Sequence, residues 1–160
     1  MLNEDYKNIL LRFIEERVKF LLVGAYAMAA QGYPRATMDI DIWIQPCPKN
    51  AAAVRRALNS FGASLLDISR KDLETENMVF RVGEDPRRID IITTASGLEF
   101  EETFANSVAF DIEGIEIHIP SLADLIRATS GRREERKTGP MRKPSKNCKT
   151  GSDNLSLPPS

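Results

Sequence analysis

The sequence predicts an α+β (mixed α/β) domain in which a central mixed sheet of about four to six strands is flanked by helices. Short apolar runs with strand character alternate with segments whose apolar residues recur every three or four positions. Glycine and proline separate these segments. With 160 residues, 42% of them hydrophobic, the chain has the length of one domain and can bury a core.

The first half of the chain predicts helices and strands in turn. Tyr6, Ile9, Leu10 and Phe13 share one face of a helix because they are three or four residues apart. A short apolar run stops at Gly24 and predicts a buried strand. The predicted elements are a helix at residues 3–17, a strand at 20–23, a helix at 25–31, a strand at 37–44 and a helix at 49–61.

The second half predicts a strand-rich segment and a final helix. Glu113 and Gly114 lie between two apolar runs, which is typical of a hairpin. Ser121 begins the last helix, and Asp124 three residues later resembles a capping box. The predicted elements are a loop or short helix at residues 67–77, strands at 78–82 and 88–93, a short helix at 99–106 and hairpin strands at 108–112 and 115–119.

The C-terminal end differs in composition from the rest of the chain. The domain is predicted at residues 1–129, followed by a basic low-complexity tail at 130–160 that we expect to be disordered. Residues 131–160 contain eight Lys and Arg against three Asp and Glu. A solvated end accounts for this composition, and a nucleic-acid-binding arm is the alternative. The tail has no aromatic residue to stack on a base.

The sequence also predicts the cellular compartment of the protein. No run of about 18 apolar residues is present, which argues against a membrane span. The N-terminus is acidic and polar, unlike a signal peptide. We therefore expect a cytoplasmic protein without a membrane partner.

The segment around Asp39 and Asp41 carries the strongest chemical signal. Residues two apart in a strand point to the same face, about 6–7 Å apart, so these carboxylates should project together. Asp90 lies between isoleucines in the same way. If its strand neighbours the first, three carboxylates converge and can hold divalent metal. Acids of an edge strand that simply face water are the alternative interpretation.

Gly24 lies where a strand becomes a helix. A residue without a side chain lets a phosphate approach the backbone, and a helix N-terminus offers free N–H groups. The separation of fifteen positions between Gly24 and Asp39 suffices for one short helix and a returning strand. This spacing predicts that the glycine turn lies beside the acidic strand. Arg35 and Thr37, just before the acids, are candidates for contacts with triphosphate oxygens.

Together these residues resemble the DNA polymerase β-type nucleotidyltransferase superfamily. Its pattern is a glycine pair or Gly-Ser, a gap, an acid-hydrophobic-acid triplet, and a third acid on a neighbouring strand. Residues 22–44 are similar to the small prokaryotic subgroup of AbiEii-toxin-like and minimal nucleotidyltransferase proteins. Residues 88–102 and 119–126 match that subgroup too, and the resemblance spans about residues 5–128.

The resemblance implies a function and a set of site residues. Asp39, Asp41 and Asp90 would be catalytic and would bind Mg²⁺ or Mn²⁺. Gly24 and Ala25 would contact the triphosphate of an NTP such as ATP. The implied reaction moves a nucleotide to a protein side chain or to RNA, with tRNA as one acceptor. The implied context is a toxin–antitoxin or phage-defence pair, with a cognate toxin or antitoxin protein as partner.

This sequence departs from the family pattern at two places. Position 25 is alanine, where serine or glycine is usual, so no hydroxyl is available there. The family's last helix stops matching after about Glu135. Codons can be chosen so that an alternate reading frame restores it, which suggests a frameshift from about Arg136 that the gene's nucleotide sequence can test. Both departures favour the rival interpretation, a catalytically weak or inactive binding module acting as an antitoxin or accessory subunit.

Overall fold

The computed structural model describes residues 3–33, 39–84 and 87–135. Its helices and strands form an α+β arrangement with a mixed central sheet, which confirms the predicted fold class. Arg35 and Thr37 lie outside the described residues. The elements are α1 (Glu4–Glu15), β1 (Phe20–Val23), α2 (Gly24–Ala30), β2 (Ile40–Ile44), α3 (Pro48–Phe61), α4 (Arg70–Leu73), β3 (Val79–Val82), β4 (Ile89–Ile92), α5 (Phe100–Ala105), β5 (Val108–Ile112), β6 (Ile115–Ile119) and α6 (Leu122–Glu135).

The central sheet has four strands in the order β1-β2-β4-β3, and β5 and β6 form a separate hairpin. β2 pairs antiparallel with β1 and parallel with β4, and β3 pairs antiparallel with β4. A parallel pair needs a long crossover between its strands. Here α3, α4 and β3 lie between β2 and β4 in the chain. The crossover brings residues 41 and 90 side by side although they are far apart in sequence.

One face of the sheet forms the main core. Ile40, Ile42 and Ile44 of β2 are fully buried and belong to the same cluster as the apolar faces of α1 and α3. Strand alternation therefore turns Asp41 to the opposite face. The residues of β4 alternate in the same way, with Ile89 and Ile91 in the core. The core thus decides which side of the sheet carries the acids.

The ends of the elements follow from local chemistry. The side chain of Asn3 caps α1 by accepting a hydrogen bond from the backbone of Tyr6 at 2.9 Å. Gly62 ends α3 in the left-handed conformation that favours glycine. The Ser121 hydroxyl accepts a hydrogen bond from the Asp124 backbone N–H at 3.2 Å, as the capping signal predicts. β2 begins at Ile40, so Asp39 immediately precedes the hydrogen-bonded strand.

The last helix extends further than the sequence suggested. α6 continues to Glu135, six residues beyond the predicted domain end at residue 129. Residues 136–160 lie outside the described part of the chain, as does the point at which the frameshift hypothesis begins. No helix among the described residues is both long and apolar enough to cross a membrane.

Asn50 is a buried polar residue that joins three parts of the fold. Its side-chain oxygen accepts a hydrogen bond from the Lys19 backbone N–H at 2.8 Å. Its amide nitrogen donates to the carbonyls of Lys19 at 2.9 Å and Gln45 at 3.0 Å. The side chain is thereby fully satisfied in a buried position. It ties the start of α3 to the beginning of β1 and the end of β2.

We predict that Asn50→Asp lowers the free energy of unfolding by about 2–3 kcal/mol at neutral pH. The substitution places a carboxylate oxygen against two backbone carbonyls that now accept hydrogen bonds from the amide. Urea unfolding measures the loss. Asn59→Asp, on the exposed part of the same helix, is the matched control, and an equal loss in both variants would contradict the bridging role.

Candidate active site

Asp41 and Asp90 lie next to each other on the face of the sheet opposite the main core. They are direct partners in the parallel register of β2 and β4, and neighbouring strands are about 4.8 Å apart. Asp41 is half-buried, and the Asp90 side chain is only 14% exposed. Two carboxylates this close repel each other unless a positive charge lies nearby.

Arg88 supplies that positive charge. Its Nη2 donates to Oδ2 of Asp39 at 2.5 Å, and its Nε lies 3.4 Å from Oδ1 of Asp90. The guanidinium therefore contacts two of the three predicted metal ligands. Sequence reasoning did not single out Arg88. The available signal was its position two residues before Asp90, since such residues share a face of a strand.

Tyr6 fixes the backbone at Arg88. Its hydroxyl donates to the Arg88 carbonyl at 2.9 Å, and its ring is 1% exposed. Burial raises the pKa of Tyr6 to about 12, and negative charge on Tyr26 and Asp39 adds to the rise. The phenol therefore keeps its proton well above its ordinary range and remains a hydrogen-bond donor. α1 thus supports the acidic site from the core side.

Gly24 approaches Asp41 as the spacing predicted. Val23, the residue before it, is the register partner of Asp41. Gly24 has φ +73°, and a Cβ placed on it would overlap Oδ2 of Asp41. Glycine is needed here for two reasons, since the backbone is left-handed and the carboxylate fills the space of a side chain. The observed contact of Gly24 is with the acid, and its expected role toward phosphate stays a prediction.

Arg81 borders the acidic pair on its other side. It is the register partner of Asp90 on β3, and its Nε lies 3.9 Å from Oδ1 of Asp90. Its side chain is 66% exposed, so the ion pair is weak. Across the sheet the register partners follow in the order Val23, Asp41, Asp90 and Arg81, with Gly24 directly after Val23. Sequence reasoning also missed Arg81, because its relation to Asp90 exists only through strand pairing.

Trp43 belongs to a second, smaller apolar cluster on the face of the acids. Its ring packs edge-on against Phe100 with centroids 5.1 Å apart, and it is 2% exposed. Trp43 is therefore a packing residue, because so buried a ring offers no face to a nucleobase. The cluster also contains Val23, the register partner of Asp41, so it packs directly beside the acidic pair.

Comparison with solved structures shows which fold the chain has. The chain aligns with a Thermotoga maritima protein provisionally described as a nucleotidyltransferase, with a TM-score of 0.61, 20% identity and coverage of 86% of this chain and 91% of that chain. The chain has the nucleotidyltransferase fold. It also aligns with the antibiotic-resistance factor ANT(2″)-Ia, with a TM-score of 0.55, 14% identity and coverage of 88% and 75%. No protein-family model and no curated protein matches the chain.

These structural alignments establish the fold, and chemistry has to be argued from the side chains. The narrower resemblance to AbiEii-toxin-like proteins stays a prediction. On this nucleotidyltransferase fold, Ala25 is the second residue of α2 and is half-buried. Its backbone belongs to the turn beside Asp41, and its methyl group supplies no hydroxyl.

The three aspartates have the donor chemistry of a magnesium site. Carboxylate oxygens are the ligands that this hard cation takes from proteins, and a cationic guanidinium already contacts two of the three acids. Within residues 3–33, 39–84 and 87–135, no group of three or more His, Cys, Asp or Glu side chains is placed to hold a metal. Asp41 and Asp90 are brought together by register, whereas Asp39 lies before the strand and is engaged by Arg88.

We predict that Gly24→Ala lowers the free energy of unfolding by about 2–4 kcal/mol, because it adds a clash with Asp41 to backbone strain. Gly32→Ala is the matched control. Gly32 also has a positive φ, +95°, but a Cβ there meets nothing within 4 Å, so its cost should be about 1 kcal/mol. Urea unfolding of both variants measures the difference, and equal losses would contradict the close contact.

A second prediction concerns alkaline pH. The unfolded phenol of Tyr6 ionises near its ordinary pKa of 10.0, while the folded one holds its proton to about pH 12. Tyr6 therefore stabilises the fold below pH 10, and this contribution is lost as pH rises from 10 to 12. Unfolding of Tyr6→Phe should lack this part of the pH dependence. Tyr33→Phe, at an exposed tyrosine, should keep it, and parallel profiles for all three proteins would contradict the assignment.

Proposed function

We propose that this protein is a magnesium-dependent nucleotidyltransferase that transfers a nucleotide from an NTP to a protein side chain or to RNA. The observation that carries the proposal is the register of Asp41 against Asp90 beside Gly24, on a nucleotidyltransferase fold. Adjacent carboxylates repel each other. A divalent cation that also binds a triphosphate would relieve this repulsion and place both acids at the reacting phosphate.

The proposed roles follow from position on the sheet. Asp39, Asp41 and Asp90 would hold Mg²⁺ or Mn²⁺, which when bound supplies charge neutralisation for the phosphates. The turn at Gly24 and Ala25 would accept the triphosphate on one side of the acids, with Arg35 and Thr37 as further candidate contacts. The acceptor would then approach from the side of Arg81.

The chemical step is a displacement at the α-phosphorus. The acceptor hydroxyl oxygen forms a bond to phosphorus, the bond to the β-phosphate bridging oxygen breaks, and pyrophosphate leaves. A carboxylate of the Asp41 and Asp90 pair takes the hydroxyl proton. The aligned protein ANT(2″)-Ia is an antibiotic-resistance factor. For the present chain, the resemblance of residues 22–44 supports a toxin–antitoxin or phage-defence setting in the cytoplasm.

The proposal predicts incorporation of label from NTPs radiolabelled at the α-phosphate. Each of the four NTPs is incubated with Mg²⁺ or Mn²⁺ and with tRNA, total RNA or cell protein as acceptor. Asp41→Asn and Asp90→Asn should each reduce labelling by about 100-fold or more, because each removes a ligand and a proton acceptor. Asp67→Asn, at an exposed acid outside the site, should label like the wild type.

Labelling that is equal in the wild type and both site variants would remove the enzyme proposal. It would favour a binding module that uses the fold without turnover, as an antitoxin or accessory subunit. Two observations speak for this rival: the alanine at position 25, and the engagement of Asp39 by Arg88. Copurification with a cognate toxin or antitoxin would then be the relevant measurement.

A further inference from the structure

The position of Arg88 has a consequence for metal binding. Its guanidinium contacts Oδ2 of Asp39 at 2.5 Å and Oδ1 of Asp90 at 3.4 Å. The side chains of Arg88, Asp39 and Asp90 are 26%, 28% and 14% exposed. Their attraction is therefore screened less by water and salt than that of a fully exposed pair.

Two hydrogen bonds hold the backbone of Arg88, and its side chain pairs with the two acids. The Arg88 carbonyl accepts hydrogen bonds from the Tyr6 hydroxyl at 2.9 Å and from the Ile40 backbone N–H at 3.3 Å. These bonds fix the Cα beside the acids. A change of side-chain rotamers can move the guanidinium away without disturbing the sheet.

A divalent cation and this guanidinium need the same oxygens. The carboxylates of Asp39 and Asp90 are predicted metal ligands, and the positive charge of Arg88 already neutralises part of their negative charge. Resting on the proposed magnesium dependence, we propose that Arg88 is a positioning residue that acts as an internal counter-cation. It keeps the acids together in the metal-free protein and must withdraw from Asp39 and Asp90 when the metal binds.

Under this proposal, substitution of Arg88 changes two quantities in opposite directions: the stability of the metal-free protein falls, and its affinity for a divalent cation rises. Without Arg88, the acids repel each other and the metal-free protein loses stability. Removal of Arg88 also takes away a competitor for the carboxylate oxygens and a positive charge that repels a cation. A divalent cation therefore binds more tightly. If Arg88 were only structural, its substitution would instead weaken metal binding, because a distorted site binds a cation more weakly.

The experiment compares Arg88→Gln with the wild type after treatment with EDTA and removal of the chelator. Isothermal titration with Mg²⁺ and Mn²⁺, without NTP, should give a dissociation constant about tenfold lower in the variant, the size expected for loss of one charge-assisted contact. Urea unfolding of the metal-free proteins should show lower stability in the variant. Addition of saturating Mg²⁺ should narrow that difference.

Two further variants serve as a control and as an alternative to Arg88→Gln. Arg87→Gln removes the neighbouring arginine, whose Nη1 contacts Asp5 at 3.4 Å, and should leave metal affinity unchanged. Arg88→Lys keeps the charge but lacks the planar group that reaches two carboxylates. It should bind metal about two- to threefold more tightly than the wild type, and it answers the question if Arg88→Gln does not fold.

Unchanged or weaker metal binding in the folded Arg88 variants would overturn the counter-cation role. If the wild type then still binds Mg²⁺ and loses binding with Asp41→Asn, the proposed function stands and only the role of Arg88 falls. If the wild type binds no divalent cation with or without NTP, the metal-dependent function and the role of Arg88 both fall.

Discussion

The parallel pairing of β2 with β4 is the constraint on which the rest of the site depends. It sets Asp41 against Asp90 and turns both away from the core, because Ile40, Ile42, Ile89 and Ile91 occupy the other face. A shift of the register by one residue would exchange the two faces and bury the carboxylates. The apolar residues of the core therefore hold the acids in place, although none of these residues takes part in the chemistry.

A cluster of acids needs compensation, and the fold supplies it locally. Arg88 contacts Asp39 and Asp90, while Tyr6 and Ile40 hold the Arg88 backbone. Gly24 leaves room for the Asp41 carboxylate. Each contact comes from a different element, so the site is assembled from α1, the turn after β1, and the two central strands. Such convergence explains how a small sheet can carry adjacent negative charges.

Structural similarity supports the fold of this protein, whereas its chemistry has to be inferred from its side chains. The similarity to solved nucleotidyltransferase structures establishes the architecture at 20% and 14% identity. Activity depends on side chains, and here the alanine at position 25 departs from the pattern that the chain resembles. The same fold can bind a partner or transfer a nucleotide, so the fold alone does not separate these outcomes.

The sequence by itself determined the order and type of the elements, because periodicity and glycine or proline boundaries are local properties. It also identified Asp39, Asp41 and Asp90 as the acids of interest and placed Gly24 near them. Only the tertiary structure decided that Asp41 and Asp90 are register partners, that Asp39 pairs with Arg88, and that Arg81 and Tyr6 border the site. These relations depend on strand pairing and helix packing between distant segments, which no local pattern of residues encodes.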